Sequence, residues 1–586
     1  METIKLRFVN ASGEAGKELE YNRGVRPDSL LAEFGQTGEI AAVKVNNEIL
    51  PLSQELTINA VLEAVPLPCQ EGMMIYRRSL AFLLAMSAKR LFPAAKLYIG
   101  HSLGNSYYYT LTPLSAVPPA SPSAPSMAQA PTQAPERPTA ARNRGFRDQD
   151  LAGLKQDMLA LVAEDLPIEK KCMAYGEALE LFKSNGQDDT ALLLEQRNES
   201  AVTINKCGAF MDIFVEPLVN RTGLLSAFDL EPYRDGFLLR FPAIGKGKNL
   251  EPFTDEPLIF SVYEEYKKWG RIVGVRSVGE LNRLVSRKDI RDYIRIAEAF
   301  QARKLAEIAE KIYGEKDRVR AVFIAGPSSS GKTTTAKRLS IELMVMGIKP
   351  VAISLDDYYR KNDEIPLDDE GKRDFERLEA LDIPFLNAQL LELFEGNEVT
   401  LPVFDFKAGR RKEGEGRTVR MEKRRTMLII EGIHGLNNAL TPQVDPSLKF
   451  KLYVSALTQL NLDDHNRIPT SDNRLLRRLV RDHQFRGKDA AWTIDMWASV
   501  QRGERQHIFP FQNSADAAFN SALDYELPVL KYHADSLLRA VKPGQREYGE
   551  AVRLLSFLEN FAPIPPQYVP TQSIIREFIG DSEFKY

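Results

Sequence analysis

The stretch "FIAGPSSSGKTTTAKRL", residues 323–339, sets Gly326, Gly331, Lys332 and Thr333 at the spacing GxxxxGKT. Glycines at this spacing let backbone N–H groups turn inward around phosphate oxygens. A lysine there reaches the β and γ phosphates, and the following hydroxyl can hold magnesium. Ser328, Ser329 and Ser330 fill the loop, and Thr334 lies in the first turn of the helix whose amino end adds partial positive charge. These residues predict a seat for a nucleotide's phosphates with Mg2+, and by themselves leave kinase, GTPase, motor and transporter ATPase open.

Three later stretches carry chemistry that such a seat can use. "KPVAISLDDYYR" closes an apolar run with Asp356 and Asp357, and "TMLIIEG" closes another with Glu431. A carboxylate at the first position can accept a hydroxyl proton and bias a metal, and one at the second suits a magnesium-water contact. "DNRLLRRLVRDHQFRGK" then sets Arg474, Arg477, Arg478 and Arg481 at helical intervals with Arg486 beyond, the forked cations that suit a lid over transferring phosphate. The plain alternatives are a solvated acidic turn and a solvated basic helix.

Positioning these groups requires an apolar strand from Val322 to Ala325 ahead of the loop, a helix running to Met346 behind it, and parallel strands ending at Asp356 and Glu431. Ligands bind at that carboxyl edge in open α/β sheets. No Asp followed by the GTPase pattern and no ABC-type signature accompanies the loop. Asn513 and Asp516 are further candidates for nucleotide contact, whereas His434, Trp492 and Trp497 read as packing residues.

The rest of the chain sets the frame. Its 586 residues are too many for one core and imply three or four folded units. With 77 Lys and Arg against 80 Asp and Glu, there is no global attraction to nucleic acid or anionic membrane. The three cysteines, Cys69, Cys172 and Cys207, match no disulfide framework or paired metal ligands. The start lacks the apolar core of a signal peptide, and the longest apolar run, "LAFLLAMSA", is about half a membrane span. A cytoplasmic protein with no membrane partner is expected.

Residues 1–66 read as a small β-rich unit with a turn at Asn46-Asn47, and "MMIYRRSLAFLLAMSAKRLFP" as a helix stopping at Pro93. A Pro-, Ala- and Ser-rich stretch, 112–147, cannot bury enough surface to fold. Residues 246–313 read as a connector ending in a long helix, and 561–586 as a carboxyl-terminal tail.

Residues 314–560 resemble the uridine kinase and phosphoribulokinase family of P-loop kinases. The matching runs are "IAGPSSSGKTTTAKRL", "ISLDDYYR", "DFERLEALD", "EGNEVTLPVFDF", "LIIEGIHGL" and "LLRRLVRDHQFRGK", in family order. The resemblance implies a domain with a mainly parallel sheet, ATP as donor, and Asp356 as the base on a sugar 5′-hydroxyl. It puts Glu431 near magnesium, Arg481 and Arg486 on the phosphate side of the lid, and Tyr358, Glu376, Phe404 and Arg478 around the acceptor. Three positions depart from the family. Glu376 stands for an Asp that grips ribose hydroxyls, Phe404 for a Tyr, and Gly409 for a His that contacts the base. Losing polar readout weakens selection of a pyrimidine.

The front half resembles the N-terminal modules of threonyl-tRNA synthetase. "AAVKVNNEILPLSQEL" is similar to its TGS domain, a β-grasp fold, over residues 1–66. "RRSLAFLLAMSAKRLFPAAKLYIG", "NSYYYTL" and "GAFMDIFVEPLV" are similar to its α+β editing-type domain over 67–245, interrupted by the Pro-rich insertion. The HxxxH and CxxxH positions of that family read Arg78, Phe82, Phe214 and Leu218 here, so no water-activating site remains.

The expectation is a multidomain α/β kinase that phosphorylates a hydroxyl of a nucleoside, uridine or cytidine foremost, or of a related sugar-bearing alcohol. The alternative is an ATP-switched RNA-binding regulator. The N-terminal half is expected to sense tRNA or nucleotide, to make a homo-oligomer, or only to scaffold.

Overall fold

The computed structural model describes residues 2–9, 15–34, 39–114, 148–214, 217–367, 371, 373–405, 408–422 and 425–585. From residue 115 onward the Pro-rich stretch lies outside the described residues.

Asn46 and Asn47 both adopt left-handed backbone, φ 50° and 70°, as a two-residue hairpin requires. They join Ile40–Val45 to Glu48–Leu50 within a five-stranded sheet whose order is Ala15–Asn22, Thr3–Val9, Ala60–Pro66, Ile40–Val45, Glu48–Leu50. Its first and last strands in chain order pair in parallel, Leu6 opposite Ala60, and the other neighbours are antiparallel. Alternate burial of Ile4, Leu6 and Phe8 turns one face of Thr3–Val9 onto its core.

The helix Gln70–Leu91 follows, capped by the Cys69 sulfur, which accepts from Gly72 N, and it ends just before Pro93. It packs with an antiparallel sheet of Asp229–Tyr233, Gly236–Arg240, Ser106–Pro113 and Ala95–Ser102, and with the helix Asp148–Glu164. A smaller sheet joins Phe210–Asp212, Ala201–Cys207 and Glu169–Ala174. The helices Pro257–Val273, Val278–Arg287 and Ile290–Gly314 lead onward. The last lies along the helix Lys332–Val345, where Arg338 Nη1 donates to Gln301 Oε1 at 2.9 Å.

A five-stranded, all-parallel sheet follows, in the order Lys349–Ser354, Thr426–Glu431, Ala321–Ala325, Lys449–Ser455, Ala517–Asn520. Ala321–Ala325 is buried along its whole length, as expected of a central parallel strand covered on both faces. The pairings Ser354↔Glu431 and Ile324↔Glu431 align the strand ends, so the loops that follow open at one edge.

The front half holds the loop between the fourth strand and the arginine helix Thr470–Arg486. Ile99 N donates to Asp464 O at 2.9 Å, Asn461 Nδ2 to Ile99 O at 2.7 Å, and His465 Nδ1 lies 2.6 Å from Asp212 Oδ2. Burial opposes charge on His465, but Asp212, Asp464 and Asp463 hold its pKa up at about 9. Residues 564–579, read from sequence as part of a tail, are packed: Ile564, Ile574, Ile575 and Phe578 have no exposed surface.

Candidate active site

The phosphate loop runs from the buried first strand into the helix Lys332–Val345. A Cβ at Gly326 would lie 1.9 Å from Val454 O, so only glycine lets the loop pass against the neighbouring strand. Gly331, φ 83°, caps the helix in left-handed backbone. Ser329, φ 58°, takes the same region, which is costly for a residue with a side chain. Lys332 Nζ donates to the carbonyls of Gly326 at 2.9 Å and Pro327 at 3.1 Å, keeping the ammonium inside the loop. Ser329 Oγ and Ser330 Oγ are buried without a hydrogen-bond partner among the described residues. A glycine-lined cradle with orphaned hydroxyls fits a nucleotide's phosphates.

At the carboxyl edge, Ser354 Oγ donates to Glu431 Oε1 at 3.1 Å. Burial raises the Glu431 pKa to about 7 and Asp356 pushes the same way, while Lys332 and the Ser354 hydrogen bond oppose. The surrounding protein raises the Asp356 carboxyl, which Lys332, Arg486 and Arg481 pull back down. Asp356 itself remains exposed at this edge. Lys332 is lowered by burial, with Glu431 and Asp356 opposing. These mutual effects bring Lys332, Asp356, Glu431, Arg481 and Arg486 into one field. Thr333, half-buried at the head of the helix, sits beside this set. One or two carboxylates, a hydroxyl and phosphate oxygens form the hard-oxygen set that Mg2+ takes.

Asp357 turns the other way, and its Oδ1 accepts from Phe404 N at 3.0 Å. Glu376 is raised to about 7 by burial and by Glu504, while Arg478 and Lys332 oppose. It therefore borders the same cleft. Arg478 Nη1 donates to Ser328 Oγ at 3.0 Å, and Arg486 Nη1 to Asp482 Oδ1 at 3.1 Å. Arg481, lowered to about 10 by burial and by Arg486, lies 3.8 Å from Glu577.

Several expectations change. Arg474 and Arg477 do not reach across the cleft: Arg474 pairs with Glu504, and Arg477, fully buried, pairs with Glu526 and donates to Ser329 O at 3.2 Å. They brace the loop from behind. Tyr358 turns into the core, 1% exposed, with its hydroxyl 2.8 Å from Gln389 Oε1. Tyr359 takes the side near Asp356 and Glu376, and its ring packs 5.9 Å from that of the buried Phe404. Asn513 and Asp516 sit at the amino end of the last strand, bonded to Asp255 O and Lys451 N, remote from the ligand edge. His434 is buried beside His507. Gly409 has φ 65°, and a Cβ there would lie 2.1 Å from Asn362 Nδ2, so a side chain at this position would strain the backbone and require Asn362 to turn aside.

In the front half, the Phe82 ring packs edge-on against Phe210 and Phe214, with centroids 5.1 and 5.7 Å away. Leu218 is buried and Arg78 Nη1 donates to Pro217 O at 3.3 Å. Apolar side chains take three of the four positions where an editing-type site would lie, and the Arg78 guanidinium takes the fourth. Among the described residues, no group of three or more His, Cys, Asp and Glu could hold a metal, and no helix is long and apolar enough to cross a membrane.

The sequence profile described as the "Phosphoribulokinase / Uridine kinase family" matches residues 321–527. The uridine kinase of Clostridium botulinum is 31% identical over 196 residues, 33% of this chain and 84% of that enzyme. The chain belongs to this family. Its N-terminal half matches threonine–tRNA ligases: that of Thermotoga maritima is 30% identical over 217 residues, 37% of this chain. The chain spans only 29% of that ligase's length. Among solved structures, a possible uridine kinase from Bacillus stearothermophilus shares 21% identity, covering 37% of this chain and 98% of that one, with a TM-score of 0.25. D-glycerate 3-kinase from Cryptococcus neoformans shares 15%, covering 44% and 87%, with a TM-score of 0.21.

Sequence reasoning missed Glu504 and Glu577. Glu504 Oε1 accepts from Ser328 N at 2.9 Å, and Glu577 Oε2 accepts from Thr334 N at 3.2 Å. Both lie more than 170 residues from the loop they touch, with no local pattern to mark them.

Proposed function

We propose that this chain is an ATP- and magnesium-dependent kinase that phosphorylates a hydroxyl of a nucleoside, uridine or cytidine foremost, or of a related sugar-bearing alcohol. The observation that carries the reading is the shared field of Lys332, Asp356 and Glu431 at the mouth of the phosphate loop.

In this reading the loop and Lys332 hold the triphosphate, and Asp356 orients the acceptor hydroxyl and takes its proton. The acceptor oxygen bonds to the γ phosphorus, the bond from that phosphorus to the β-bridging oxygen breaks, and ADP leaves with the electron pair. Arg481 and Arg486 neutralise charge on the transferring group, and Glu376 and Arg478 grip the sugar. Catalysis is then mainly positioning and electrostatics. Magnesium, held by Thr333 and by Glu431 through water, would shield the phosphate charge.

With this goes a division into a TGS-like unit over 1–66, an editing-like unit over 67–245, a connector over 246–313 and a kinase unit over 314–560. The front half would act on the kinase through the loop at Asp464 and His465.

The second reading, an ATP-switched RNA-binding regulator, is favoured by glycine at position 409, which leaves no base-reading side chain there. Incubation with ATP and a panel of nucleosides and sugars, read by mass spectrometry, separates the two. A new monophosphate supports the kinase. ADP and free phosphate alone, with tight tRNA binding by the full chain, would move the assignment to the regulator.

A further inference from the structure

Thr334 is the third residue of the helix that opens at the phosphate loop, in the first turn whose N–H groups point at phosphate in a loop of this spacing. Both of its donors are engaged by one carboxylate. Glu577 Oε2 accepts from Thr334 N at 3.2 Å and from Thr334 Oγ1 at 2.6 Å, and Glu577 Oε1 stands 3.8 Å from Arg481 Nη1. Glu577 is 8% exposed.

The segment carrying it is anchored around the loop. A Cβ at Gly331 would lie 2.7 Å from Ile574 Cγ2, so that isoleucine rests on the loop's last glycine. The Phe578 ring lies under two arginines of the lid helix, 5.0 Å from the Arg477 guanidinium and 5.8 Å from that of Arg481. Lys337, one turn along the helix, donates to the Lys585 carbonyl.

We propose that residues 573–579 are a built-in competitor for the nucleotide: Glu577 is an anion seated on the phosphate donors, and ATP or ADP binds only when this segment moves. A carboxylate and a phosphate oxygen cannot share the same N–H and hydroxyl, and two anions so placed repel. Releasing Glu577 also takes away one of the two carboxylates beside Arg481, leaving Asp482 at 3.9 Å, so opening the segment supplies a cradle donor and a less neutralised lid cation. The inference rests on the reading of the loop as a nucleotide seat.

The test is the affinity of the full chain for ADP with magnesium, native against Glu577→Ala, by calorimetry. If the docked form makes up about nine-tenths of the population, the variant binds roughly tenfold more tightly. Amide hydrogen exchange of the native chain gives a readout that needs no variant: exchange over 573–579 speeds up when MgADP is added. Unchanged or weaker ADP binding by the folded variant overturns the proposal, as does undiminished protection of 573–579 in the native complex; in both cases the kinase reading stands. Absence of ADP binding by either form sinks the kinase reading and this inference with it.

Discussion

Arg474 and Glu504 face each other behind the phosphate loop as a two-pronged ion pair, with Nη2 to Oε2 at 2.7 Å and the side chains 4% and 1% exposed. Glu504 also accepts from Ser328 N, so one carboxylate ties the arginine helix to the loop. Removing it strands a buried guanidinium. Glu504→Ala should cost about 3–5 kcal/mol of stability. Denaturant unfolding checks this, and a loss below about 1 kcal/mol would mean the pair is solvated.

Stability should also carry the mark of Glu376, raised to about 7 from an ordinary 4.5, chiefly by burial. The folded state then binds more protons than the unfolded state between about pH 4.5 and 7. Its contribution is complete below the lower value and is lost as pH rises through the upper. Glu376→Gln has no such proton to lose. Unfolding free energies measured from about pH 5 to 8 should therefore shift in favour of the variant as pH rises, relative to native. A pH-independent difference would place Glu376 in water.

Gly409 sets a limit on acceptor recognition. Its φ of 65° and the Asn362 amide beside it both oppose a side chain. Gly409→Ala should cost about 1–2 kcal/mol from the left-handed backbone alone. An unchanged melting temperature would show that this loop rearranges freely, and a base-reading residue could then be grafted there.

The front half gives an independent check on its filled pocket. Phe82 is fully buried between Phe210 and Phe214. Phe82→Ala should destabilise the chain by about 3–5 kcal/mol. A near-neutral result in denaturant unfolding would imply that the pocket is open rather than packed.

What the sequence disclosed was local. The phosphate loop was legible because its function resides in the spacing of adjacent residues, and strand ends marked Asp356 and Glu431 because an apolar run stops there. Asp356 and Asp357 look alike in sequence and differ only because Phe404 N claims the second. Tyr358 and Tyr359 likewise part by which neighbour each finds, Gln389 in the core or Phe375 O near the cleft. Helical spacing grouped the arginines, but their roles depend on partners brought in by the fold. Glu504 and Glu526, 30 and 49 residues away, take Arg474 and Arg477 out of the cleft. The docking of Glu577 needed the closed fold, because its partner Thr334 is 243 residues distant.

The most direct test follows the γ-phosphoryl group itself. With uridine, cytidine or another sugar-bearing alcohol present, phosphorus NMR of the native chain with MgATP should show a phosphate monoester growing in step with ADP. Asp356→Asn should bind ADP normally and lower that rate by about 10²–10⁴-fold. An unchanged rate in Asp356→Asn, or free phosphate as the sole product with every acceptor, would contradict the claim that the loop aims a phosphoryl group at an alcohol beside Asp356.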